Sequence, residues 1–290
     1  MFTKETVQDT FFLKKKSINC SGKILNLDEP LVMGILNATP DSFFDGGKHS
    51  DEKSIITHVK QQLADGAAII DVGGYSSRPG AAEVSEKEEL ERVLPVIQLL
   101  KQEFNDIVIS IDTFRSRVAQ EAVKHGAAII NDISAGELDN KMFDVVAELG
   151  VPYIMMHMQG TPQTMQKNPT YQHVTKEVMS YFSEKVNVLH QKGVNDLILD
   201  PGFGFGKTLE HNYQLLKELN YFNWFELPIL VGLSRKSMIT KALNISSKDA
   251  LNGTTALNAL ALTKGTNILR VHDVKEANEV VQLFNLMQKK

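Results

Sequence analysis

A chain of 290 residues with 42% hydrophobic and 23% charged content falls within globular averages, so disorder is not indicated and one large core or two small ones are within reach. A formal net charge of -4 and a pI near 6.1 exclude a broad basic face for nucleic acid, yet leave room for a local cationic pocket that takes a small anion. Cys20 is the only cysteine, which excludes an internal disulfide and a thiolate zinc cluster and favours a reducing, cytoplasmic home.

Met1 to Thr10 has no apolar core of the kind a secretory signal needs, and no run of about 18 apolar residues offers a membrane span. Phe11 to Leu27 reads as two short extended pieces, Phe11-Phe12-Leu13 and Lys23-Ile24-Leu25, about a turn-rich centre at Asn19-Cys20-Ser21-Gly22, which predicts a hairpin or cap. From there one pattern recurs: a short apolar run that finishes on polar residues, a loop, then a segment of helical periodicity. The runs are Leu31 to Asn37, Ala67 to Gly74, Ile107 to Thr113, Ala127 to Ser134, Pro152 to Met158, Leu197 to Gly202, Pro228 to Ser234 and Ile268 to Asp273. Helical segments follow at Glu52 to Asp65, Ser85 to Phe104, Ser116 to His125, Asn140 to Leu149, Val174 to Lys192, Glu210 to Leu219, Ala250 to Lys264 and Val274 to Met287.

Eight such units predict an α/β fold, a (β/α)8 TIM barrel over residues 31–290, with residues 1–30 as an N-terminal extension and β-hairpin cap. An internal echo supports the register: Gly66-Ala67-Ala68-Ile69-Ile70-Asp71 returns as Gly126-Ala127-Ala128-Ile129-Ile130-Asn131. A doubly wound open sheet is the alternative, disfavoured because Asn37-Ala38-Thr39-Pro40-Asp41, and no glycine fingerprint, follows the first run.

In such a barrel the carboxyl ends of the strands form the site, so Asn37, Asp71, Asp112, Asn131, His157, Asp200, Ser234, Arg270 and His272 are read as one set. Asp112, Asn131, Asp200 and Lys236 together offer acceptors, an amide and a triple donor, which suits a fused aminopyrimidinone ring. The alternative is that Asp112 and Asn131 cap helices. Ser234-Arg235-Lys236-Ser237 opens a short helix and predicts an anion at the strand mouth. Arg270 and His272 share one face of their strand, although Arg270 could instead pair with a nearby acid. The run Asp200-Pro201-Gly202-Phe203-Gly204-Phe205-Gly206-Lys207 ends like a phosphate loop, but Pro201 stands where that loop needs its first glycine. Ala38 to His49 and Tyr75 to Ser85 are long connections with the composition of lids. No close cluster of His, Asp and Glu marks a metal site, so an ion would be Mg²⁺ held by one or two oxygens and ligand phosphates.

These motifs resemble the dihydropteroate synthase family. The likeness runs through Gly34-Ile35-Leu36-Asn37-Ala38-Thr39-Pro40-Asp41-Ser42-Phe43, Asp71-Val72-Gly73-Gly74, Ser77-Arg78-Pro79-Gly80, Ser110-Ile111-Asp112-Thr113, Asn131-Asp132-Ile133, Met156-His157-Met158-Gln159-Gly160, the Asp200 to Lys207 run, Gly232-Leu233-Ser234-Arg235-Lys236-Ser237 and Arg270-Val271-His272-Asp273.

The resemblance implies a transferase of folate biosynthesis that condenses 6-hydroxymethyl-7,8-dihydropterin pyrophosphate with 4-aminobenzoate. It implies that Asp112, Asn131, Met156, Asp200, Phe205, Lys236 and Arg270 bind the pterin, while Asn37, Arg270 and His272 take the pyrophosphate, with Asn37 a ligand of Mg²⁺. Phe43, Ser77, Arg78, Pro79 and Ser234 would surround the aminobenzoate, where sulfonamides compete. Asp45, Lys236, Arg270 and His272 would be catalytic, Asp45 by stabilising a cation. A homodimer is implied as well.

The chain departs from the family at Tyr75, where a glutamate is usual, at Ser77, where Ser-Thr is usual around it, and at Phe44, where a serine is common. Rival readings are a pterin-binding methyltransferase domain and a non-catalytic pterin-binding barrel. Asn37, Asp45, Arg270 and His272 together disfavour the silent barrel, and the Ser234-Arg235-Lys236 turn disfavours the methyltransferase.

Overall fold

The computed structural model describes residues 14–38, 48–75, 84–165 and 168–289. Strands β1 (Ser17–Cys20) and β2 (Lys23–Asn26) form an antiparallel hairpin closed by Ser21 and Gly22, both at positive φ. Positive φ at both central residues is what a tight two-residue hairpin requires, and glycine meets it without strain. The first strand therefore starts at Ser17; Phe11 to Leu13, expected to begin it, lie outside the described residues.

Eight parallel strands follow: β3 (Leu31–Asn37), β4 (Ile69–Gly73), β5 (Ile109–Asp112), β6 (Ile129–Asp132), β7 (Tyr153–Met156), β8 (Leu197–Asp200), β9 (Leu230–Val231) and β10 (Ile268–Val271). They pair in the order β8-β7-β6-β5-β4-β3-β10-β9, and a bridge between Leu199 and Ile229 joins the two ends into a barrel. Around it lie α1 (Lys48–Ala64), α2 (Glu86–Glu103), α3 (Ser116–Lys124), α4 (Met142–Leu149), α5 (Val174–Gln191), α6 (Leu209–Lys217), α7 (Ser237–Leu243), α8 (Leu251–Thr263) and α9 (Val274–Gln288). Helix α1 begins before the expected Glu52, so the connection from Ala38 is shorter than the sequence suggested. A 3₁₀ turn over Leu219–Phe225 carries the chain from α6 towards β9.

Two layers of side chains explain the strand sequences. Outward residues such as Ile70, Val72, Ile111, Ile130, Leu199 and Leu269 pack beneath the helices in one large core. Inward residues at the amino end, Met33, Ile69, Ile129, Ile154, Ile198, Leu230 and Ile268, form a separate plug that Ile18, Cys20 and Leu27 of the hairpin cover. Burial pushes the Cys20 thiol up to about 12, so it packs there as an inert small hydrophobe. Because side chains alternate along a strand, the positions two further on from the plug point inward as well. These are Ile35, Asp71, Asn131, Met156, Asp200 and Arg270, and through Asp71, Asn131, Asp200 and Arg270 the barrel interior turns polar towards its carboxyl end.

Candidate active site

The interior tips of neighbouring strands meet around Arg270. Its Nε donates to Asp71 Oδ2 at 2.6 Å and its Nη2 donates to Asp112 Oδ2 at 2.6 Å, so one guanidinium bridges β4 and β5 from β10. Asn131 Nδ2 donates to the same Asp71 oxygen at 3.0 Å. Asn37, paired in register with Gly73, ends β3 on the same rim.

Arg270 thus does pair with acids, as one reading of the sequence held, but with two at once, and about a fifth of its side chain still reaches the mouth. Asp112 caps no helix. The first turn of α3 is satisfied by Asp139 instead, whose Oδ2 accepts from Ser116 N at 2.7 Å.

Charge in this cluster is tightly balanced. Burial pushes the Asp112 carboxyl up to about 7; Arg270 pulls against that shift, while Asp71, Glu89 and Asp132 add to it. Burial likewise raises Asp200, opposed by Lys236 and by the Gly202 N–H, which donates to Asp200 Oδ1 at 2.8 Å. Burial brings the Lys236 ammonium down to about 8 against the pull of Asp200. For Arg270 burial is outweighed by Asp71 and Asp112, which hold the guanidinium above its ordinary range. A site in which acids are driven towards neutrality and an amine towards loss of its proton is one prepared for a polar ligand.

Beside the polar cluster stands an apolar wall. Ile133, Met156, Met158 and Met165 form a small buried group against which Phe114 and Phe205 pack. Phe205 rides on the glycine-rich turn after β8, and Lys236 Nζ lies 4.8 Å from its ring centroid. Lys236 also donates to the Phe203 carbonyl at 2.6 Å, tying that turn to the start of α7. Gly202, Gly204 and Gly206 all have positive φ, and at Gly202 a side chain would run into the His157 carbonyl.

The anion-facing side departs from the sequence reading in one respect. Lys236 is the N-cap of α7, but Arg235 turns away at φ 55 and grips Asp273 with Nε and Nη2, at 2.9 and 2.7 Å. Its guanidinium is a structural pin between two strand ends. Ser234 Oγ and His272 Nδ1 lie 3.0 Å apart, and Ser234 Oγ accepts from the His272 N–H at 3.2 Å.

The structure therefore brings together Asn37, Asp112, Asn131, Met156, Asp200, Phe205, Ser234, Lys236, Arg270 and His272 at one end of the barrel. Phe43, Phe44, Asp45, Ser77, Arg78 and Pro79 lie outside the described residues. Described residues on either side of the last three are held by arginines. Arg92 Nη1 donates to the Gly74 carbonyl at 3.0 Å, and Arg115 Nη2 donates to the Val84 carbonyl at 2.6 Å. Arg115 is itself ion-paired to the fully buried Glu89. Tyr75, the departure from the family pattern, sets its ring edge-on to Phe114 with centroids 5.2 Å apart.

Sequence reasoning missed the part played by Asp71, which it had only as a strand end, and gave Lys207 no part. Asp71 had a signal in the echo that aligns it with Asn131, its hydrogen-bond partner. Lys207 is buried and its Nζ reaches His157 Nδ1 at 3.0 Å; its signals were its place at the end of the Asp200 to Lys207 run that carries the family likeness and a resemblance to a phosphate loop that the spacing excludes.

The chain is similar to known proteins in sequence and fold. Residues 33–272 match the pterin binding enzyme family. A dihydropteroate synthase of Escherichia coli is 49% identical over 264 residues, which cover 90% of this chain and 93% of the relative. A Yersinia pestis dihydropteroate synthase, solved as a sulfonamide drug complex, superposes with a TM-score of 0.88 at 44% identity, covering 94% of this chain and 99% of that one. A Xanthomonas albilineans dihydropteroate synthase in complex with 7,8-dihydropteroate superposes with a TM-score of 0.85 at 36% identity, with the same coverage of 94% and 99%.

Proposed function

We propose a division of roles among the site residues from the premise that this chain belongs to the dihydropteroate synthases, a family of pterin-binding enzymes. It is a transferase that condenses 6-hydroxymethyl-7,8-dihydropterin pyrophosphate with 4-aminobenzoate, giving 7,8-dihydropteroate and pyrophosphate. The observation that carries the division is the facing of Asp112, Asn131 and Asp200 with Lys236 and Arg270 beside the Met156 and Phe205 wall.

The pterin lies against Met156 and Phe205. Asp112 and Asp200 accept its N–H groups, Asn131 both donates and accepts, and Lys236 donates to its ring oxygen or nitrogen. Arg270, held in plane by Asp71 and Asp112, offers one face to the ring and the open edge of its charge to the pyrophosphate. Asn37 and His272 receive the same group from either side. The bond between the exocyclic methylene carbon and the pyrophosphate oxygen breaks, and its electron pair leaves with the pyrophosphate. The electron-rich ring spreads the positive charge left behind, with Arg270 and His272 stabilising the departing anion. The neutral arylamine nitrogen then forms the new bond to the methylene carbon and sheds one proton. No strong base is required.

Mg²⁺ fits the site as an ion shared with the ligand. Asn37, at the tip of β3, would supply one amide oxygen, and no group of three or more His, Cys, Asp or Glu among the described residues could cage a metal by itself. Bound there, Mg²⁺ would add positive charge beside the leaving pyrophosphate. Ser234, with Phe43, Ser77, Arg78 and Pro79, surrounds the aminobenzoate and any sulfonamide that competes with it, and Asp45 stabilises the cation; these roles rest on the family pattern.

The chain works as a cytoplasmic homodimer. Exposed Leu243, Leu260, Leu283, Leu286 and Met287 on α7, α8 and α9 support the homodimer, since large apolar side chains gathered on three helices gain from being covered. Sedimentation at micromolar protein tests it: a monomer that persists on raising the concentration would refute the dimer. Among the described residues no helix is long and apolar enough to cross a membrane. The reaction itself is tested with purified protein, Mg²⁺ and both substrates. Stoichiometric pyrophosphate and dihydropteroate are expected, and no release of pyrophosphate would refute the reading.

A further inference from the structure

The glycine-rich turn after β8 has an unusual floor. Lys207 is 4% exposed, and its ammonium sits beneath the turn with the Gly202 carbonyl at 3.0 Å, the Phe205 carbonyl at 3.1 Å and His157 Nδ1 at 3.0 Å; the His157 carbonyl lies further off at 3.3 Å. Burial brings Lys207 down to about 7 against the pull of Asp200; in its charged form it has three N–H groups and no acceptor, and these contacts use that full donor capacity. His157 is suited to accept. Burial foremost, with the Lys207 charge, drives its ring down to about 2, which leaves it neutral with Nδ1 free of a proton.

The turn is otherwise held by donors that reach other carbonyls. Lys236 takes Phe203, and the Tyr171 hydroxyl takes Gly206 at 2.8 Å. Carbonyls at four of the five turn residues thus point at side-chain donors beneath or beside the turn, and the Phe205 ring is left packed on the methionine wall. An ammonium in such a place is costly to bury, and a turn whose only task was to reverse the chain would gain nothing from it.

We infer that Lys207 is a positioning residue for the pterin: by gathering the Gly202 and Phe205 carbonyls onto the His157 ring, it sets the height of the Phe205 ring and of the Phe203 carbonyl that receives Lys236. This rests on the pterin site described above. It separates the two substrates, because among the described residues Lys207 bonds to His157, Gly202 and Phe205, none of which is assigned above to the aminobenzoate.

The test is Lys207→Met, which keeps the stem and removes the charge, compared with wild type assayed in parallel. The expected result is a KM for the pterin pyrophosphate raised tenfold or more, with the KM for 4-aminobenzoate within twofold of wild type. Pterin affinity measured calorimetrically should fall by the same factor. Tyr171→Phe, which removes one hydroxyl from the same turn and leaves the ring, should raise the pterin KM by a smaller factor, about threefold, and it stands in if Lys207→Met does not fold. Unchanged pterin KM in a folded Lys207→Met protein, or equal loss of both substrates, overturns the inference while the reaction stands. In the Tyr171→Phe protein an unchanged pterin KM does the same. A wild-type protein that releases no pyrophosphate would instead overturn the function on which the inference rests.

Discussion

Asp71→Asn is the most informative single change in this site. Asp71 is fully buried, and one of its oxygens, Oδ2, accepts from both Arg270 and Asn131, while Oδ1 has no partner. An amide oxygen can keep both hydrogen bonds, and the new NH₂ falls where no acceptor is lost. The fold should therefore survive, and what disappears is a negative charge. Asp71 and Asp112 bind different nitrogens of one guanidinium, each at 2.6 Å. Two unit charges on such oxygens, ~5 Å apart at an effective dielectric of ~20, repel by about 3 kcal/mol, or about two pKa units.

A fifth of the Asp112 side chain reaches solvent, which screens part of that repulsion. The working expectation is a fall of about one unit in the Asp112 pKa, from its raised position near 7. The sign follows directly. The pterin is bound by the Asp112 carboxylate, so kcat/KM for the pterin substrate rises as pH climbs through the pKa of Asp112 in the free enzyme. Removing the Asp71 charge makes ionisation easier and leaves Arg270 to Asp112 alone, so the acidic limb moves to lower pH. The assay is initial-rate kinetics across the pH range at saturating 4-aminobenzoate. An acidic limb that stays in place, or moves to higher pH, would show that Asp71 does not set the charge of the pterin acceptor.

Three further outcomes are expected. Arg270→Lys replaces a planar fork that serves Asp71 and Asp112 together with a single ammonium, and kcat/KM for the pterin should drop about a hundredfold, checked in the same assay. Gly202→Ala forces a side chain onto a residue at φ 71 facing the His157 carbonyl and should cost at least about 2 kcal/mol, read as a shifted urea midpoint. Tyr153→Phe removes the hydroxyl that donates to the buried Asp132 at 2.7 Å. Because Gly136 N still donates to that oxygen, the loss should be about 1 kcal/mol in urea unfolding, with little change in KM for either substrate.

The barrel was legible because its strands announce themselves twice, by apolar runs and by polar ends. Both come from one cause: the inward positions are apolar where the hairpin plugs the barrel and polar where the mouth opens, and a parallel strand also buries its outward face. The hairpin was legible in its turn, Ser21-Gly22, and less so in its first strand, because aromatic residues at Phe11-Phe12 outscore Ser17 to Cys20 on strand propensity. Helix ends were harder for a local reason. Capping is shared with distant groups, as where Asp139 satisfies Ser116, and no window of sequence contains both partners.

The candidate site was legible as a list of residues and illegible as a circuit. That Asp112, Asn131, Asp200, Lys236 and Arg270 would share a rim follows from their places at strand ends. Which acid takes which nitrogen does not, since Asp71 and Arg270 are 199 positions apart and meet only through closure of the barrel. The same limit hid Arg235, which reads as a second cation of the mouth but has Asp273 within 2.7 Å to hold it elsewhere. Lys207 was hidden for the opposite reason. A lysine after glycines suggests solvent or phosphate, and it is buried here because the positive φ values at Gly202, Gly204 and Gly206 fold the turn back over it. Burial of a charge by its own loop is a property of the turn, so the residue that the local sequence assigns to the surface becomes the one on which the position of the aromatic floor depends.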